Sequence, residues 1–368
     1  MRHSRSRYLS LDAFRGYTVA AMIMVNFPGN GEHVFSTLRH SEWNGLTFTD
    51  QIAPYFLFIV GVSITLSMGS ALADPAVAGT LPRKILLRAL KIFGVGMFLN
   101  VLSLMPNFDF SQLRWTGTLH RISIVYLCCA MFFLRSGWRG QAFLAAILLG
   151  GYWAAMMLIP TPGEGVVMLE PGRNLAAWVD SRYLPGKMWQ GSWDPEGILS
   201  TFPSIATGIT GMLAGHVLRS EGEGAVKLNR LATAGTISAV LGYFIGLSFP
   251  VNENLWTSSF VLVTSGFATL VFVSMHHLST TGKKAGWTVP GVVFGKNAIV
   301  AYVSADILAI FFYGLPIGGT TLNMHAFEAL TALGLAPSLA SLAYALFFVC
   351  MNFIPVWILF RRNIFIKL

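Results

Sequence analysis

The chain has 368 residues, of which 54% are hydrophobic and only 11% charged, with a net charge of +9 and a mean hydropathy of +0.61. A soluble domain carries about 25% charged residues, so this composition excludes an ordinary soluble fold. Long apolar runs without strict alternation close their backbone hydrogen bonds as helices of roughly 20 residues, which points to an all-α polytopic integral membrane protein forming one transmembrane domain over 1–368.

Ten spans are expected, at 10–27, 47–70, 85–105, 119–135, 141–159, 197–218, 229–249, 256–278, 292–314 and 338–360, with a short eleventh near 325–336. The first lacks a small-residue cleavage site and carries Asp12 and Arg15 inside its pattern, so it reads as a span and not as a leader. Asp12 and Arg15 are three apart on one helical face, and form either an internal ion pair or an anion site. Asn26 ends this span in Met24-Val25-Asn26-Phe27-Pro28-Gly29, where its amide bonds either a substrate carbonyl or a neighbouring backbone.

The loop that follows holds His40, whose side chain suits proton transfer near neutral pH. Trp43, Asn44 and Thr47 give it a polar-aromatic rim. Asp50 either holds the imidazole in one tautomer or caps the second span. Lys91 reads as snorkelling from the third span. His120-Arg121 opens the fourth, where Arg121 either anchors the helix end or meets an acid or a substrate oxygen.

Cys128, Cys129 and Cys350 all fall within spans, in a pattern that is neither a disulfide framework nor a metal site. Trp193-Asp194-Pro195-Glu196-Gly197 is expected to cap the sixth span, with Pro195 and Glu196 as good helix-start residues, and Pro203 lies inside that span. Asn252 and Asn254 with Trp256-Thr257-Ser258-Ser259 form another polar cluster, and Lys296-Asn297 lies in the ninth span.

Basic residues orient the spans. Of the 25 Lys and Arg residues, 16 fall on the side of the N-terminus, among them Arg2, Arg5, Arg7, Lys283, Lys284 and Lys367; 5 fall on the other side and 4 within spans. By the positive-inside rule both termini are cytoplasmic. The same rule explains the net positive charge without a nucleic-acid partner. The acids gather on the opposite side, which would attract a cationic substrate.

These residues resemble the transmembrane acyltransferases typified by heparan-α-glucosaminide N-acetyltransferase and its compact bacterial relatives. The matching pieces are Ser10-Leu11-Asp12-Ala13-Phe14-Arg15-Gly16, Val25-Asn26, His40-Ser41-Glu42-Trp43-Asn44-Gly45-Leu46-Thr47 with Asp50, Leu119-His120-Arg121-Ile122, Asp194-Pro195-Glu196-Gly197 through Ser204, Asn254-Leu255-Trp256-Thr257-Ser258-Ser259-Phe260 and Gly295-Lys296-Asn297. They run in order across nearly the whole chain.

The resemblance implies acetyl transfer from cytoplasmic acetyl-CoA to the amino group of glucosamine or a terminal glucosaminide across a bacterial inner membrane, without a metal, and a homodimer by analogy. It implies His40 and Asn26 as catalytic residues, to which we add Asp50. Its first-motif arginine maps onto Arg15, and Asp12, Arg121 and Lys296 join Arg15 as the cofactor-binding set. Trp43, Asn44, Glu196 and Asn254 make the acceptor-binding set. His40 acts either as a general base or as a nucleophile that carries the acetyl group, while Asn26 donates to the developing oxyanion. Two other readings stand beside this one: an amino-sugar transporter, which would use paired broken helices, and an O-acyltransferase of a periplasmic glycan.

Overall fold

The computed structural model describes residues 9–72, 74–105, 108–281 and 286–366. Arg2, Arg5, Arg7, Lys283, Lys284 and Lys367, used above for orientation, lie outside the described residues. The described chain is helical: α1 (Leu9–Asn26), α2 (Ile52–Ala71), α3 (Pro75–Ala78), α4 (Leu81–Leu102), α5 (Thr118–Phe133), α6 (Trp138–Leu158), α7 (Leu175–Tyr183), α8 (Ile198–Arg219), α9 (Gly224–Gly246), α10 (Ser258–Thr281), α11 (Thr288–Lys296), α12 (Ala298–Ala309), α13 (Leu322–Ala332) and α14 (Pro337–Arg361). Among the described residues, β structure is confined to the short pair Pro316–Ile317 with Thr320–Thr321 and one bridge between Arg114 and Gly186.

Among the described residues, six helices are long and apolar enough to cross a membrane, and the bent pair α11–α12 makes a seventh when taken as one span. The protein is therefore a multi-pass, all-α membrane protein. Helices also occupy the other expected positions: α5 is apolar but has 16 residues, and α1 and α9 fall outside the long apolar set.

One expected span is corrected. The stretch 292–314 is not a single rod, because α11 and α12 meet at an 82° bend. The bend sits at Asn297, whose backbone leaves helical geometry at φ −126° and ψ 40°. Its buried side chain bonds backbone instead, donating to Ile364 O at 3.1 Å and accepting from Ile366 N–H at 2.9 Å. Asparagine offers the main chain this kind of alternative to a helical ladder. A single bent pair of this kind is found among the described residues, whereas transporter architectures place two in corresponding positions.

The chain forms two compact units. One comprises the chain up to His40, Thr47–Ile52 and the chain from Ser274 onward; the other comprises Ser41–Leu46 and Ala53–Val273. In the first unit α1 packs on α11, α12 and α14. Its closest approach is glycine on glycine: a methyl group on Gly16 would overlap the Gly291 carbonyl. In the second unit α4, α5, α6 and α8 pack together around Leu57, Ile85, Val125, Cys129, Ile209 and Met212, all buried. Here α2 meets α8 at Gly61, where a side chain would overlap the Gly208 carbonyl. Small residues at such crossings let two backbones touch where lipid offers no hydrophobic drive to association.

Candidate active site

In the first unit, the loop after α1 is held by its backbone. Tyr313 OH donates to Pro28 O at 2.9 Å, Asn323 Nδ2 to Gly29 O at 3.0 Å, and Gly29 N–H to Ser341 O at 3.2 Å. Further along, the Arg39 guanidinium donates to the Glu32 and Val34 carbonyls, and Thr49 Oγ1 donates to Leu38 O at 2.8 Å. The loop thus delivers His40 in a fixed place.

His40 Nδ1 lies 2.9 Å from Asp50 Oδ1, with the Asp50 side chain fully buried and the imidazole 57% exposed. The other Asp50 oxygen accepts the Thr47 N–H at 2.8 Å, while Thr47 Oγ1 accepts the Asp50 N–H at 3.4 Å. That reciprocal pair is a capping box. Both readings of Asp50 therefore hold at once, one oxygen serving each. Because a carboxylate only accepts, the contact assigns the proton to Nδ1 and leaves Nε2 as the basic nitrogen.

The other residues expected in this unit fall as follows. Asn26 is the last residue of α1; it is exposed, and its side chain makes no hydrogen bond among the described residues, so of its two readings the bond to a neighbouring backbone is not made there. Arg15 Nη1 lies 3.3 Å from Asp12 Oδ1 and donates to Gly295 O at 3.5 Å, in the last turn of α11. A cation at a helix C-terminus is favoured by the helix dipole, so the ion-pair reading of Asp12 and Arg15 has a packing reason. Lys296 ends the same helix with its ammonium over the rings of Phe360 and Phe365, at 4.9 and 5.1 Å. Asp12, Arg15 and Lys296 thus converge on the end of α11.

The second unit holds a connected polar-aromatic cluster. Trp43 Nε1 donates to Leu169 O at 3.0 Å, and its ring meets Trp193 edge-on at 5.4 Å. Asn44 Oδ1 accepts from Asn252 Nδ2 at 3.1 Å. Asn254, two residues on, is half-buried and makes no side-chain hydrogen bond among the described residues. Glu196 is bound by Arg114 Nη2 at 2.6 Å. The same guanidinium grips Asp194 with two bonds, at 2.7 and 2.6 Å, and Asp194 also accepts from Thr116 Oγ1, Trp189 N–H and Glu196 N–H.

Arg121 is fully buried on the first turn of α5. Its Nη2 donates to Pro195 O at 2.7 Å and Ser200 Oγ at 2.5 Å, and its guanidinium lies 4.7 Å over the Trp256 ring. It is a packed interior cation and not an interfacial anchor. Trp256 holds φ at +52°, a conformation costing about 1–3 kcal/mol in a bulky residue. Its indole N–H donates to Thr207 Oγ1 at 3.0 Å.

The start of α8 corrects a second expectation. Pro195 and Glu196 do not cap it. Instead Asp180 Oδ1, from α7, accepts the Ile198 N–H at 2.9 Å, and Oδ2 accepts the Asp194 N–H at 3.4 Å. Arg114, Asp180 and Trp256 were not singled out from the sequence as site residues. Arg114 and Asp180 have partners far away in the chain, and no local spacing marks them.

Burial pushes the Asp180 carboxyl up to about 6, outweighing its two backbone N–H bonds. Burial also pushes Asp194 up, but the Arg114 bonds and charge and the Thr116 hydroxyl prevail and hold it well below the usual carboxylate range. The two have opposite linkage. Asp180 binds its proton more tightly folded than unfolded, so its contribution to stability is present below pH ~4 and is lost as pH rises through about 6. At about 1.4 kcal/mol per pKa unit, that loss is at most about 3 kcal/mol. Asp194 contributes stability above pH ~4 that is lost in stronger acid. We expect Asp180→Asn to flatten the fall in melting temperature between pH 4 and 6 relative to wild type; parallel profiles would remove Asp180 as its source.

The family model described as heparan-alpha-glucosaminide N-acetyltransferase, catalytic, matches residues 7–246. The chain is 29% identical over 371 residues to heparan-alpha-glucosaminide N-acetyltransferase of Mus musculus, covering 84% of this chain and 55% of that protein. It is 28% identical over 372 residues to the protein of the same name from Homo sapiens, covering 83% of this chain and 54% of that protein. The chain spans about half the length of the curated relatives it matches. His40, Asp50, the Asp12–Arg15 pair, Arg121 and the Asp194–Glu196 segment all lie inside the region matched by a model that covers well over half of the sequence, and the chain belongs to the heparan-alpha-glucosaminide N-acetyltransferase catalytic family.

Proposed function

We propose that this chain is a membrane N-acetyltransferase that moves an acetyl group from acetyl-CoA to the amino group of glucosamine or a terminal glucosaminide, with His40 as general base. The observation that carries the reading is the contact of His40 Nδ1 with buried Asp50 at 2.9 Å on an imidazole that is 57% exposed. Family membership supplies the reaction class, and this pair is its best-formed acid-base device. The charge asymmetry of the sequence supports a cytoplasmic donor and an acceptor on the opposite, outer side of a bacterial inner membrane.

The chemistry follows from the tautomer. His40 Nε2 takes a proton from the sugar ammonium, and the freed amine attacks the thioester carbonyl. The C–N bond forms, the C–S bond breaks, coenzyme A leaves as its thiolate, and the second proton on the new amide nitrogen passes to that thiolate. Asp50 stabilises the imidazolium formed in between. General-base catalysis of this kind supplies about 10²–10⁴-fold. Asn26, exposed at the end of α1, offers an amide N–H to the developing oxyanion. Lys296, at the C-terminal end of α11, and Arg15, which reaches that end from α1, are the cations proposed to face the coenzyme A phosphates. Trp43, Asn44, Glu196 and Asn254 are proposed to meet the acceptor.

The deciding assay is release of free coenzyme A by the purified protein in detergent, with and without glucosamine. Glucosamine-dependent release establishes the N-acetyltransferase. No release, together with no shift in melting temperature on adding acetyl-CoA, would overturn it.

A further inference from the structure

Arg121 uses only part of its guanidinium. Nη2 is spent on Pro195 O and Ser200 Oγ, while Nε and Nη1, both out of contact with solvent, have no hydrogen-bond partner among the described residues. Arginine stays charged and carries its donors in a fixed plane, so these N–H groups point in set directions, Nε–H on the Nη2 side and Nη1 on the side of Cδ, and neither is received by a described residue. No carboxylate fills the role. Asp194 and Glu196 flank Pro195, yet both are bound by Arg114, and Asp180 spends its oxygens on backbone N–H groups.

We propose that the unused Nη1 of Arg121 binds a neutral oxygen acceptor of a substrate, either a hydroxyl of the amino sugar or a carbonyl of the acyl-pantetheine arm, and not a phosphate of coenzyme A. Charge decides against the phosphate. The cluster already sets three carboxylates, Asp180, Asp194 and Glu196, against two guanidiniums, Arg114 and Arg121. A further anion there would face uncompensated negative charge, whereas a neutral dipole would complete the bonding and leave the balance unchanged. Trp256 covers one face of the guanidinium from a turn held at positive φ. An oxygen bound in the guanidinium plane fixes the group on which Trp256 stacks, so binding steadies the Asn252–Trp256 turn and reads out there as well as in kinetics.

The inference rests on the acetyltransferase reading, and a wild-type enzyme that releases no coenzyme A would sink that reading first. Given wild-type turnover, Arg121→Lys, which keeps the charge and loses the planar fork, should raise one KM about tenfold. Three titrations identify the source: glucosamine, acetyl-CoA and acetyl-pantetheine, which lacks the nucleotide phosphates. A rise confined to glucosamine assigns a sugar hydroxyl. A rise seen equally with both acetyl donors assigns the pantetheine carbonyl. A rise with acetyl-CoA that disappears with acetyl-pantetheine, or no rise in any KM, overturns the proposal.

A variant that does not fold leaves a test on the wild-type protein. Hydrogen exchange at residues 252–257 should slow when glucosamine or acetyl-pantetheine is added. Unchanged exchange with both would overturn the proposal equally.

Discussion

Replacing His40 by alanine is expected to lower glucosamine-dependent coenzyme A release by about 10²–10⁴-fold, the worth of a positioned general base, while leaving the melting temperature close to wild type. The imidazole is 57% exposed, so its removal opens no cavity. Asp50→Asn makes the sharper companion. Asp50 accepts from His40 Nδ1–H and from the Thr47 N–H. An amide has one acceptor oxygen and one donor nitrogen. If the oxygen stays on the Thr47 N–H, the amide N–H faces His40 Nδ1 and forces the proton onto Nε2, removing the base without removing the ring. The asparagine variant should then lose activity on the scale of the alanine variant with its fold intact. Full activity in His40→Ala would end the site assignment. Activity retained in Asp50→Asn but lost in His40→Ala would reduce Asp50 to the capping box that joins it to Thr47.

Sequence alone exposed whatever depends on short spacings. Apolar runs placed the long helices of the described residues, and the three-residue spacing of Asp12 and Arg15 put them on one face, with an ion pair as one of two readings. The His40–Asp50 pair was legible for a different reason: the nine intervening residues form a connection short enough for the two side chains to meet.

Contacts between distant segments were not legible. The break at Asn297 depends on carbonyl and N–H groups 67 and 69 residues further on, so the ninth span read as continuous. Arg114 reaches Asp194 across 80 residues, and the α8 cap comes from Asp180 on a separate helix, 18 residues before the N–H it accepts. Pro195 and Glu196 have the right residue types for a helix start, and their local propensity outvoted a tertiary partner that no window around them contains. Arg121 was visible as a cation in the wrong place, but the unused N–H groups of its guanidinium are a property of packing.

The largest effect on stability is expected at Asp194. Its carboxylate is fully buried and receives five donors: Arg114 Nε and Nη2, Thr116 Oγ1, and the N–H groups of Trp189 and Glu196. Alanine there removes every one of these acceptor sites and leaves Arg114 with Glu196 alone. Breaking a buried pair from one side costs about 3–5 kcal/mol, because the remaining charge keeps its desolvation penalty and loses its partner. The damage would spread along the chain, since Asp194 orders the segment that carries Pro195 O to Arg121 and leads into α8.

Asp194→Asn should fall between, because it keeps the shape and one acceptor oxygen while turning a donor toward a donor. The control is Arg173, which bonds Glu164 at 2.7 Å with a side chain 52% exposed. An exposed pair of this kind is screened by water and salt, so Arg173→Ala should leave the melting temperature in detergent unmoved. If Asp194→Ala were as silent as Arg173→Ala, the Arg114–Asp194–Glu196 network would be a surface-type ion pair in energetic terms despite its burial, and the α8 terminus would owe its position to Asp180 alone.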